Sequence, residues 1–354
     1  MGRFLFIRLL RTLPTAWGIL SIIFLLSRLL ASNQLRLSEL QGSALGGHAL
    51  TAAQLRSAEF RLQQRLGLDL PLFYLTPAPT SRETVAYRWQ WNGWRNQYHL
   101  WLRSMVRGDL GRSFRDNQPV TSLLGRTLVS TLALTSGAFL LTIGTAYSLA
   151  IGLSQARRWR STLLAILHLL QGLPLFVVAL LLLLLLANPD LLDLFPAYGL
   201  APSEPAQSWL TRWLVNAHHL VLPWLSLTLV SLPAMVVQLD TSLQHELQQN
   251  YSTTARAKGL AHGQVMRRHA LRNALLPSIT QITDLLPALV AGAVVVELIF
   301  AVPGMGRALA EAAAARDFPV LLGGVLLVAL VRLLSQILAD WLYYQADPRI
   351  QLET

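Results

Sequence analysis

Cysteine is absent from this chain of 354 residues. That excludes a disulfide framework, a thiolate metal site and a cysteine nucleophile. Charge is scarce as well: Asp, Glu, Lys and Arg make up 13% of the residues against 53% hydrophobic ones, too few to cover soluble domains. Acid is the scarcer sign, 18 residues against 29 cations, for a net charge of +11. The excess does not read as a nucleic-acid footprint, because the cations flank apolar runs as the positive-inside rule expects. Catalytic signatures are missing too: no G-x-x-x-x-G-K-[ST] phosphate loop, no H-E-x-x-H and no G-x-S-x-G. "HELQQN" (245–250) lacks the second histidine of a zinc helix, and "VRGDLG" (106–111) lacks a second acid. If the chain moves something uphill, the energy comes from another subunit or an ion gradient.

What is present is long apolar runs, each near the roughly 20 residues that cross a bilayer core. They fall at 13–31, 127–153, 161–187, 219–239, 278–302 and 318–344. The expected fold class is therefore an all-α integral membrane protein with six transmembrane helices. The first run follows Arg3, Arg8 and Arg11 as a signal peptide would, and is read as an uncleaved helix. Arg157, Arg158 and Arg160 lie between spans two and three, and Arg256, Lys258, Arg267, Arg268 and Arg272 between four and five. The short loops on the other side, 188–216 and 303–317, are poor in cations and hold Asp190, Asp193, Glu204, Glu311 and Asp317. Both termini are thus expected in the cytoplasm. The domain reading is a tail and first span (1–31), an external segment (32–122), a five-helix core (123–344) with a cytoplasmic loop (241–277), and a C-terminal tail (345–354).

Within the external segment, Thr51 can cap a helix to about Leu66, ended by Gly67. In "VAYRWQWNGWRNQYHLW" (85–101), Asn92-Gly93 is a hairpin signal that would pair Trp91 with Trp94, Tyr87 with Tyr98 and Val85 with Leu100. The same residues also fit an aromatic belt at the lipid headgroups.

A charge at the bilayer centre costs at least about 2.5–3.5 kcal/mol, so polar residues in the spans are candidate sites. Asp284 or Glu297 in span five can neutralise Arg332 in span six, as a substrate or proton path or as a buried pair fixing register. His168 and Gln171, just before Gly172 and Pro174, interrupt span three and either line a wet cavity or bond a neighbouring helix.

The loop "YSTTARAKGLAHGQVMRRHALRNALLP" (251–277) is too polar to span and too patterned for a plain connector. Ser252 or Thr253 can cap a short helix containing Ala255–Ala257 that Gly259 breaks. A second helix carries Val265, His269 and Arg272 toward Leu276, and Pro277 suits the first turn of span five. Small residues before a glycine admit a partner's groove; an amphipathic helix on anionic lipid is the other reading.

"TARAKGL" followed by "HALRNALLP" (254–260 and 269–277) resembles the cytoplasmic loop signature of permease subunits of binding-protein-dependent ABC importers. More narrowly, it resembles the dipeptide/oligopeptide/nickel permease family. The likeness continues in "LVAGAVVVELIFAVPGMGRAL" (289–309), "RDFPVLLGGVLLVA" (316–329), "DPRI" (347–350), "LRTLPT" (10–15), "LGLDLP" (66–71) and "GDLGRSF...QPV" (108–120). The broader signature has an acid where this chain has Thr254, and an apolar residue where it has Arg332. The aromatic stretch 76–101 resembles an insertion.

The resemblance implies the type I ABC importer permease fold in the inner membrane. It implies a coupling helix in which Thr254, Ala255, Arg256, Ala257, Lys258, Gly259 and Leu260 dock into a cytoplasmic ATPase. The implied partners are a second permease, two ATPases carrying ATP and Mg, and an external binding protein; the implied cargo is short peptides. Three other readings compete: nickel or metal-chelate import by the same architecture, a membrane anchor or receptor that moves no solute, and an ion-coupled carrier that needs Asp284.

Overall fold

A computed structural model describes residues 14–15, 17–22, 24–26, 28, 70–79, 87–155, 158–200 and 208–346. The expected helix at 51–66 and both tails lie outside the described residues, as does the Arg332 side chain. The described chain is almost wholly helical. After a short apolar helix α1 (Trp17–Leu26) come a two-stranded hairpin, β1 (Leu75–Pro79) and β2 (Tyr87–Trp91), and α2 (Gln97–Val106). Then follow α3 (Val120–Gln155), α4 (Arg160–Gln171), α5 (Leu175–Leu186), α6 (Trp209–Gln248), α7 (Asn250–Ala257) and α8 (His262–Val265). A π-helical turn, Met266–Ala270, leads into α9 (Leu271–Ile299), and α10 (Met305–Ala314) and α11 (Phe318–Ala346) complete the order.

By length and composition α3, α6, α9 and α11 can each cross a membrane. A fifth crossing results if α4 and α5 count as one span bent by 106°. Six continuous spans are therefore not reached among the described residues, which include only a short apolar stretch of the first run. The bend lies where Gly172 and Pro174 stand: Pro174 has extended backbone (ψ 144°) and no N–H to continue the helix. Pro277, expected in a first turn, sits inside α9, because the π turn runs straight into that helix and moves its start back to Leu271.

The chain divides into two compact units. One contains residues 124–316 and 324 onward. Its core interleaves Leu134 and Ala138 of α3, Ala179 of α5, Leu222 and Leu227 of α6, and Leu289, Ala293 and Val296 of α9. Of the most apolar stretch of α6, 56% is buried, against 24–33% for the other three long helices, so α6 is the axis of the bundle. The remaining helices keep large apolar side chains outward, Leu140 and Leu169 among them, as lipid or another membrane chain requires. Glycine sets one close approach: a Cβ on Gly137 would run into the Trp224 ring, whose Nε1 donates to Ala133 O at 3.2 Å. Gly137→Val should force that indole out and cost about 1–3 kcal/mol, read as a lower unfolding temperature of the detergent-solubilised protein.

The other unit contains residues 13–123 and 317–323. Its core is aromatic: Phe24 is fully buried, with Phe73, Tyr98 and Trp101 rings centred 5.2–5.9 Å away. The expected pairing of Trp91 with Trp94 is corrected here, since Trp91 pairs with Leu75 in an antiparallel register running to Tyr87 with Pro79. Gly93 does take a positive φ of 65°. Asn92, however, donates its amide to Phe73 O and Thr76 Oγ1, and Asn96 caps α2 through the His99 N–H at 2.7 Å. Those bonds turn 97–106 into a helix where a returning strand was expected. The "GDLGRSF" and "RDFP" motifs meet at Asp317, whose buried carboxylate accepts from Ser113 Oγ and from Phe114 N (3.1 Å).

Candidate functional site

The polar loop after α6 forms a clasped handle. Gln249 adopts extended backbone (ψ 153°) and ends α6, and α7 begins at Asn250, earlier than Ser252 or Thr253. Ser252 is instead buried, its hydroxyl donating to Glu246 O at 2.8 Å. Arg256 reaches back to donate to Leu247 O at 2.8 Å, and Tyr251 donates to the Glu246 carboxylate. Partial burial, then that bond, raise the Tyr251 phenol above its ordinary range, which keeps it a donor at neutral pH.

The far end of α7 is a Schellman cap. Gly259 has φ +86°, its N–H donates to Arg256 O at 2.9 Å, and the Leu260 N–H donates to Ala255 O at 3.3 Å. A Cβ on Gly259 would meet nothing, so glycine is required there by its backbone angle alone. Below the handle, Leu243 and Leu247 of α6 bury against Met266, Ala270, Leu271 and Ala274, joining the ends of two spanning helices.

This geometry sorts the seven residues of the docking signature. Ala255 is 6% exposed and faces inward. Arg256 is tied down, and Leu260 is half-buried. Thr254, Arg256, Ala257, Lys258 and Gly259 stand exposed, and they are the residues a partner can touch.

The intramembrane candidates do not form one cluster. Glu297 is fully buried, accepting from Thr131 Oγ1 at 2.6 Å and from Arg307 N at 3.0 Å. Thr131 in turn accepts from Met305 N at 2.8 Å. Gly304 and Gly306 leave no room for a Cβ against the same carboxylate. Glu297 thus knots α3, the end of α9 and the start of α10 together. The bonds of this carboxylate among the described residues run to α3 and α10; the expected partner, the Arg332 side chain, lies outside the described residues.

Asp284 lies thirteen residues earlier on α9, roughly 20 Å at about 1.5 Å per residue. It is exposed and lines a cavity of about 310 Å³ walled by α5, α6 and α9. His168 and Gln171 are exposed on α4 and lie outside that wall. Sequence reasoning missed Thr131, which carries no motif of its own, and the ion pair of Arg160 with buried Asp240 at 2.7 Å between α4 and α6. An acid inside the apolar helix α6 gave no signal for that pair beyond the charge of Asp240 and of the 157–160 loop. Among the described residues no group of three His, Asp or Glu side chains is placed to hold a metal ion.

A family model for the inner membrane component of binding-protein-dependent transport systems matches residues 120–352. Among curated relatives, the oligopeptide transport system permease protein AppB of Bacillus subtilis is 33% identical over 262 residues, covering 72% of this chain and 80% of its own. The dipeptide transport system permease protein DppB of Alkalihalophilus pseudofirmus is 31% identical over 272 residues, with coverage of 72% and 81%. Among solved structures, an inward-facing methionine ABC transporter, MetNI, aligns at TM-score 0.49 and 17% identity, covering 64% of this chain and 96% of that one. The family match spans the helical core, the clasped handle and the Glu297 knot, and the chain belongs to the family of binding-protein-dependent transport system inner membrane components, the multi-pass permease subunits of ABC importers.

Proposed function

We propose that this chain is one of two permease subunits of an ATP-driven importer of short peptides, and that α7 with its glycine cap is the handle by which the ATPases work it. The observation that carries the reading is the clasp: a short helix with an exposed outer face, Thr254, Ala257 and Lys258, is bonded back to the end of α6 and runs through α8 and the π turn into α9. A push on such a helix moves two spans together instead of bending a loop. ATP and Mg belong to the partner ATPases, whose closure would tilt the spans between inward-open and outward-open states. Peptide is the favoured cargo because the relatives quoted are permeases of oligopeptide and dipeptide systems.

The topology proposed with it has six spans, counting the segment around α1, and both termini in the cytoplasm. Residues 32–122 lie on the opposite side with the binding protein. The test is uptake of labelled di- and tripeptides into proteoliposomes holding both permeases, two ATPases and the binding protein. Uptake should require ATP and every subunit. Uptake by this chain alone, or none by the full assembly, would overturn the proposal.

A further inference from the structure

We infer that the cavity around Asp284 receives a cationic side chain of the cargo, so that this permease favours cationic solutes over anionic ones. The inference deepens the importer reading and rests on it. On α9, Gln281, Asp284, Leu285, Ala288 and Gly292 recur at helical spacing and share the wall of one cavity. The α6 side of the cavity, Leu227, Val230, Ser231, Ala234 and Met235, is apolar except for Ser231. Polar function in the space therefore converges on one carboxylate with an amide and a hydroxyl beside it, the composition of a small-ligand site. A volume of about 310 Å³ lies within the range of small-ligand pockets and admits a charged side chain.

The charge at Asp284 is unused inside the described chain. Asp240 is paired with Arg160, and Glu297 is saturated by α3 and α10, whereas no cation among the described residues lies within ion-pair distance of Asp284. An exposed carboxylate between apolar walls attracts a cation more strongly than one in water, and it costs too much to be a packing residue.

The experiment measures uptake of Ala-Ala-Ala, Ala-Lys-Ala and Ala-Glu-Ala by the full reconstituted complex at saturating loaded binding protein. The wild type should move the lysine peptide faster than the glutamate peptide by roughly tenfold, since like charges brought together repel strongly. Asp284→Asn should bring that ratio close to one while binding-protein-stimulated ATP hydrolysis persists. Ser231→Lys, which sets a cation in the opposite wall, should do the same and serves if the first variant fails to assemble. A wild-type ratio near one, or an unchanged ratio in either variant, overturns the inference and leaves the importer reading intact. Failure of the wild-type complex to take up any of the three peptides sinks the importer reading instead, and this inference with it.

Discussion

Replacing Ala257 by glutamate is expected to abolish ATP-driven uptake while leaving the fold of the subunit unchanged. Ala257 is exposed in the last turn of α7, beside the Gly259 cap. No cavity opens and no hydrogen bond is lost. A carboxylate near a helix C-terminus is unfavourable by about 0.3–1 kcal/mol, too little to unfold the protein. Against a docked partner the balance differs, because a desolvated charge without a counter-ion costs roughly 2–5 kcal/mol, at least thirtyfold in affinity. The measurement is paired: uptake together with co-purification of the ATPases should collapse, while the unfolding temperature of the isolated subunit stays within a degree or so of wild type. An uptake rate equal to wild type would remove α7 from the coupling path.

The second large effect concerns Glu297. Glu297→Ala removes the acceptor of the Thr131 hydroxyl and the Arg307 N–H and leaves a void beside Gly304 and Gly306. Each stranded buried donor costs about 1–3 kcal/mol, so the variant should lose roughly 3 kcal/mol or more and unfold several degrees lower in detergent. Glu297→Gln retains an acceptor oxygen and should lose less. If the account is right, the alanine variant fails in stability before it fails in transport; a fully stable but inactive Glu297→Ala would assign this residue to the solute path instead. Asp284→Asn should behave in the opposite way, stable but altered in selectivity, because that carboxylate faces a cavity and not a web of donors.

These two acids show how far the sequence could be read. Hydropathy and cation placement located the long helices, and Gly172, Pro174 and Gly259 marked the breaks, since a missing N–H or a positive φ is a property of the residue itself. The pairing of a residue is not. Glu297 and Asp284 look alike in a list of intramembrane acids, and only packing tells that one is enclosed by two glycines and two donors while the other lines an open wall. The Asn92-Gly93 turn failed for a related reason. Its positive φ was legible, but the strand that pairs with 87–91 was decided by the Asn92 amide bonding to Phe73 and Thr76, and by Asn96 starting a helix. The start of α7 at Asn250 was hidden too, because Ser252 reads as a cap in sequence and is used as a clasp to Glu246 in the fold.

The absence of cysteine supplies the most direct test of the coupling account. Ala257→Cys gives the chain a single thiol, on the exposed face of α7, and a short thiol-reactive crosslinker can then be applied to the reconstituted complex with and without nucleotide. The account predicts a crosslink from position 257 to an ATPase subunit, with a yield that changes between nucleotide-free and ATP-bound states. A thiol at 257 that stays open to a bulky aqueous label and joins no ATPase in any nucleotide state would contradict it.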